Sequence, residues 1–186
     1  MLRALWMLLL SLLLSVPSLV EAKVRVVATL GDLASLAADV GGPNVEVTML
    51  AAASEDPHYV DARPNLILAL NSADLVVVNG LELEVGWLPS LLQNARNPRV
   101  QPGTAGYFDA SAHVSLLEIP SAAVDRSHGD IHPGGNPHFT CDPRAGARIA
   151  LALGDRLAAI DPPNADAYRR RARSVSDELT TFATEE

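Results

Sequence analysis

The chain has 186 residues, with 22 Asp and Glu against 14 Lys and Arg, a net charge of −8 at pH 7 and 4% aromatic residues. That balance argues against nucleic acid as a partner, because gripping phosphates takes clustered Lys and Arg. A single cysteine, Cys141, excludes a disulfide within the chain, and the length suffices for one domain with a proper core.

"MLRALWMLLLSLLLSVPSLVEA" carries Arg3, is almost wholly apolar from residue 4 to 15 and ends with small residues at Val20 and Ala22. This is the pattern of a secretory signal peptide, residues 1–22, too short for a membrane span and followed at once by Lys23. An uncleaved N-terminal anchor is the alternative reading. No cysteine follows the apolar run, so no lipid anchor is expected, and the expected destination is a bacterial periplasm.

"KVRVVATL" (23–30) predicts a strand, stopped by Gly31-Asp32, and "DLASLAADV" (32–40) has helical spacing up to Gly41-Gly42. "VEVTML" (45–50) is a second strand, and "AAASEDPHYVDARP" is a loop leading into a short helix at "NLILAL". "DLVVVNG" (74–80) has the continuous apolar run of a strand buried on both faces. "VGWLPSLLQNA" predicts a helix bent near Pro89, and a short strand is expected around "YFDAS". Alternating strands and helices predict an α/β fold with a parallel sheet flanked by helices.

Residues 109–141 give little regular signal, which in a compact domain marks a functional or disordered stretch. Asp142-Pro143 then starts a helix with Asp as N-cap and Pro in the first turn, and Ile149, Leu153, Leu157 and Ile160 make its apolar stripe. Asp161-Pro162-Pro163 is expected to open a last helix in the same way. Tyr168, Ala172, Val175, Leu179 and Phe182 recur on one face of it. It reaches Glu186 with no Gly, Pro or basic stop signal, so the chain is expected to end within an element.

Two phrases resemble each other, "EDPHYVDARP" (55–64) and "GNPHFTCDP" (135–143). Each places Pro-His-aromatic after a polar residue and before a Pro that can start a helix. His58 follows the second predicted strand, near the strand ends where open α/β sheets bind ligands. His138 precedes the helix capped by Asp142. A preceding Pro stiffens each loop, and neutral imidazole suits zinc and other first-row metals. Two distant histidines read equally well as surface residues, so spacing alone leaves the metal reading open.

The stretch "VVATLGDLASLAADVGGPNVEVTML…EDPHYVDARP…ADLVVVNGLELE…WLPSLL" resembles the N-terminal lobe of the zinc/manganese-type substrate-binding proteins of bacterial ABC importers, and "GDIHPGGNPHFTCDP" resembles the second ligand segment of the zinc branch. The resemblance implies two α/β lobes joined by one long helix, with the metal between them. Residues 23–160 would then be the metal-binding lobe and residues 161–186 the start of the connecting helix, with the second lobe absent from this chain. It implies His58 and His138 as the first two metal ligands, and a third and fourth from the second lobe. It also implies a mobile histidine-bearing loop that catches or hands over the ion, matched here by His128 and His132, whose plainer reading is solvated loop residues.

The function so implied is periplasmic capture of Zn(II), with Mn(II) the weaker candidate, for delivery to the permease of an ABC importer in the inner membrane. A metallochaperone is a further partner that this reading admits. The expected protein is a monomer and not an enzyme. A zinc-dependent hydrolase is the alternative from another class, but no motif places a general base; a surface adhesin or interaction domain on the same scaffold is a third. Cys141 reads as a small buried hydrophobe, with a thiolate ligand as the minor alternative. Glu82 and Glu84 read as solvated, or as acceptors that hold a histidine tautomer. His113 reads as structural, and Asp61 with Arg63 as a local ion pair.

Overall fold

The computed structural model describes residues 22–120 and 132–185. The expected signal peptide, save Ala22, and His128 lie outside the described residues. Four strands, β1 (Val24–Ala28), β2 (Val45–Met49), β3 (Leu75–Val78) and β4 (Tyr107–Asp109), form one sheet in the order β2-β1-β3-β4. All pairs are parallel, with Val24 opposite Val45, Val26 opposite Leu75 and Val76 opposite Tyr107. The helices are α1 (Gly31–Gly41), α2 (Pro64–Ser72), α3 (Leu88–Ala95), α4 (Pro143–Ile160) and α5 (Ala165–Glu185). The α/β architecture expected from the alternating pattern is the one observed.

Strand alternation divides the core into two layers. Val26, Ala28, Leu75 and Val77 pack with residues of α1, α4 and α5, while Val27, Val76 and Val78 pack with those of α2 and α3. Every residue of β3 is buried, as its unbroken apolar run requires of a strand covered on both faces. The chain leaves β1 toward one face and leaves β3 toward the other. The adjacent carboxyl ends of β1 and β3 are therefore the switch point of the sheet, the usual place for a ligand crevice. Thr29 follows β1 there and Asn79 follows β3.

Local chemistry explains the helix boundaries. Asp142 caps α4 by accepting the Arg144 N–H at 2.9 Å, with Pro143 in the first turn. Asp161 does not repeat this. Pro163 removes an N–H that a capping carboxylate would meet, so a 3-10 turn, Pro162–Asn164, precedes α5. Asp161 instead accepts from the buried Tyr168 hydroxyl at 2.6 Å and the Asn164 amide at 2.9 Å. The helix expected across Pro89 starts only at Leu88. Gly80, Leu81 and Glu82 take left-handed backbone angles, φ 87°, 53° and 63°, and turn the chain before α3 can begin. For the two non-glycine residues that conformation costs about 1–2 kcal/mol each, so the surroundings must hold them there.

Helices α4 and α5 pack antiparallel, Gly146 meeting Leu179 and Gly154 meeting Ala172. Ile149, Leu153, Leu157 and Tyr168 are wholly buried between the helices and the sheet, whereas Phe182 is 57% exposed. A Cβ on Gly154 would stand 2.5 Å from the Ala172 Cβ, too close without movement of a helix. Gly154→Ala should therefore lose about 1–3 kcal/mol in urea unfolding, despite the better helix propensity of Ala. Adding Ala172→Gly should recover part of that loss.

Candidate metal centre

The two resembling phrases fold alike around their histidines. In Asp56-Pro57-His58 the Asp56 Oδ1 accepts the His58 N–H at 2.9 Å, and in Asn136-Pro137-His138 the Asn136 Oδ1 accepts the His138 N–H at 2.9 Å. These are Asx turns, in which a short polar side chain closes a loop that proline has already stiffened. They aim both imidazoles to one side. The His58 ring centroid lies 5.8 Å from that of His138 and 5.3 Å from that of His132.

His132 comes closest. Its Nε2 lies 3.2 Å from the Nε2 of His58. The other nitrogen of each ring is committed. His58 Nδ1 lies 2.9 Å from Asp56 Oδ1, and His132 Nδ1 lies 2.9 Å from the carbonyl oxygen of Leu81. A carbonyl can only accept, so His132 Nδ1 carries a hydrogen. The backbone N–H of His58, and then its imidazole, hold the Asp56 carboxyl below its usual range, so at neutral pH it too only accepts. With both Nδ1 atoms protonated, two neutral rings turn lone pairs toward each other across 3.2 Å. A cation between them, a proton or a metal ion, would relieve that repulsion. Two imidazole nitrogens on one tetrahedral zinc at 2.0–2.1 Å are about 3.3 Å apart, and their ring centroids about 5 Å apart.

The rim is built on one turn. Trp87 Nε1 donates to the Pro57 carbonyl at 2.9 Å, beside His58. Asn79 Nδ2 donates to the Pro137 carbonyl at 2.9 Å, beside His138. A cleft of about 260 Å³ opens there, lined by Glu118, His132, Asn136 and His138 among others. A larger cavity of about 1090 Å³ lies at the opposite, amino end of the strands, among Val24, Arg25, Asp74 and Arg99, with no histidine on its wall. Among the described residues, no three His, Cys, Asp or Glu side chains close on one point as a finished ligand set.

Other residues fall differently from their sequence readings. Cys141 is exposed, because the short 3-10 turn Phe139–Cys141 packs Phe139 against the core and turns the thiol outward. Glu84 is not solvated. It is 4% exposed and accepts the Thr29 hydroxyl and the Asn79 N–H, both at 2.6 Å, and the Gly80 N–H at 3.1 Å. Burial pushes its carboxyl above the usual range, against the pull of those donors. Glu82 is exposed. Arg63 pairs with Glu55 at 3.0 Å rather than with Asp61. His113 is structural, stacked on Phe108 at 4.8 Å, with burial and then Arg156 depressing its pKa. The sequence reading missed Asn79, Leu81 and Trp87, which position the rim through backbone partners distant in the chain.

An open parallel sheet with imidazoles gathered beside its switch point defines a ligand-binding lobe whose donors suit a transition metal. Comparison with known proteins narrows the class. Residues 26–186 match the sequence profile of the family described as zinc-uptake complex component A, periplasmic, and the chain belongs to that family. It is 25% identical over 160 residues to the manganese ABC transporter substrate-binding lipoprotein PsaA of Streptococcus mitis, covering 84% of this chain and 48% of that protein. A zinc-bound deletion mutant of ZnuA superposes with a TM-score of 0.71 at 23% identity, over 88% of this chain and 56% of that one. The nickel complex of FpvC from Pseudomonas aeruginosa gives 0.68 at 25% identity, over 86% and 52%. The chain spans about half the length of the curated relatives it matches.

The geometry sets the tautomers. In the zinc-loaded chain, His58 and His132 should both carry their hydrogen on Nδ1, read from imidazole ¹⁵N shifts. Nε2–H forms of both rings would contradict the assignment.

Proposed function

We propose that residues 23–160 are the N-terminal lobe of an exported metal-capture protein, with residues 1–22 as its signal peptide and residues 161–186 as the start of a connecting helix. The lobe takes Zn(II) as cargo in the periplasm and presents it for transfer to the permease of an ABC importer. His58 and His138 are its ligands, and His132 is the residue that meets the incoming ion. His128 belongs to the same capture segment in this reading.

One observation carries the proposal: the Nε2 atoms of His58 and His132 face each other at 3.2 Å with their Nδ1 atoms engaged elsewhere. A pair so arranged favours a cation and selects for one that accepts nitrogen donors. Imidazole suits zinc, whereas manganese prefers more oxygen, so zinc is the assigned cargo although the names of similar proteins cite manganese, zinc and nickel. Zinc takes four ligands in a closed site. The imidazoles of this lobe leave part of that shell for donors from elsewhere or for water. Capture and release need no turnover, so no residue is assigned a catalytic role.

A zinc titration against a chromophoric chelator tests the reading. The folded wild-type chain should compete for zinc, and a His58→Ala/His138→Ala variant of equal fold should not. His132→Ala should bind zinc more weakly than wild type. A folded wild type that ignores zinc would contradict the assignment, and unchanged affinity in His132→Ala would remove that residue from the site.

A further inference from the structure

We propose that Glu84 is the positioning residue of the histidine rim: its buried carboxylate fixes the turn 79–87, and that turn holds all three histidine segments. The proposal rests on the metal-capture reading for its purpose but not for its geometry.

The carboxylate lies between the two central strands. Oε1 takes the hydroxyl of Thr29 at the end of β1 and the N–H of Asn79 at the end of β3, and Oε2 takes the N–H of Gly80. The backbone carbonyl of Glu84 then accepts the N–H groups of Trp87 and Leu88 at 3.1 and 3.0 Å, which starts α3. One residue thus closes the turn on itself and ties it to both strands. The left-handed residues Leu81 and Glu82 lie inside the loop so closed.

Among the described residues, each histidine segment meets this turn through a hydrogen bond. Asn79 Nδ2 holds the carbonyl before His138, the Leu81 carbonyl holds the His132 ring, and Trp87 Nε1 holds the carbonyl before His58. The three contacts come from the beginning, middle and end of one nine-residue turn. A shift of the turn moves all three rings together. A buried carboxylate serves here because three donors converge on it and it is acceptor-only when ionised. An amide in its place turns an N–H₂ group toward a donor, and a methyl leaves all three donors without their acceptor.

The test uses the whole chain, without metal and then with Co(II). In folded Glu84→Gln, the Trp87 indole N–H should exchange faster with solvent than in wild type, and the imidazole resonances of His58, His132 and His138 should all shift. Co(II) affinity should fall about 10- to 100-fold, with an altered visible absorption band. Gly154→Ala, which loosens the fold away from the rim, should leave the band and the imidazole shifts as in wild type. If Glu84→Gln does not fold, Thr29→Val carries the same test, and Thr29→Ser should restore the wild-type spectra. Wild-type indole exchange and imidazole shifts in folded Glu84→Gln, or in Thr29→Val, would overturn the proposal. A wild type that binds neither Co(II) nor Zn(II) would defeat the metal reading instead, and the metal-free shifts and exchange rates would still decide the role of Glu84.

Discussion

The carboxylate of Glu84 sits where β1 and β3 end side by side, and its two oxygens take up three donors that the strand ends would otherwise leave buried. A parallel sheet whose neighbouring strands send their chains to opposite faces opens a gap at this point. Left without an acceptor, the Asn79 and Gly80 N–H groups would each cost a buried hydrogen bond. Glu84 returns from five residues downstream to fill that need. In doing so it holds Leu81 and Glu82 in a conformation they would not choose. The candidate metal rim is laid over that turn.

From there the chemistry follows in short steps. Two Asx-proline turns present His58 and His138, and the turn below them fixes the carbonyl before each ring. Asp56 and the Leu81 carbonyl each engage an Nδ1 atom, which leaves the lone pairs of His58 and His132 at Nε2, facing the proposed ion. Acceptors behind the ligating rings are the usual means by which proteins orient imidazoles and raise their basicity. In the proposed site these rings are oriented without an ion present. Its two closest nitrogens are already spaced as neighbours on a tetrahedral ion. In the proposed reading, an ion taken by these nitrogens would bind without large loop rearrangement.

Much of the fold was legible because its signals are local. The apolar run Leu75–Val78 read as a doubly covered strand, and Asp142-Pro143 as a helix start, from local signals alone. The candidate site was half legible. Pro-His-aromatic, met twice in a chain of five histidines, pointed to His58 and His138. Nothing local marked the Leu81 carbonyl as the partner of His132, 51 residues away. Glu84 looked solvated because Glu usually is; its burial depends on Thr29, 55 residues earlier, which no periodicity reveals. Cys141 was misjudged for the same kind of reason, since a three-residue turn, not hydropathy, decides which of Phe139 and Cys141 faces inward.

X-ray absorption at the zinc edge, on the zinc-loaded chain, is the most direct check that these imidazoles share one ion. At least two nitrogen ligands at about 2.0 Å, with the outer-shell scattering of imidazole rings, is the result the geometry predicts. A shell of oxygen ligands with no imidazole pattern would contradict it, and would leave the facing rings of His58 and His132 to be explained by a shared proton alone.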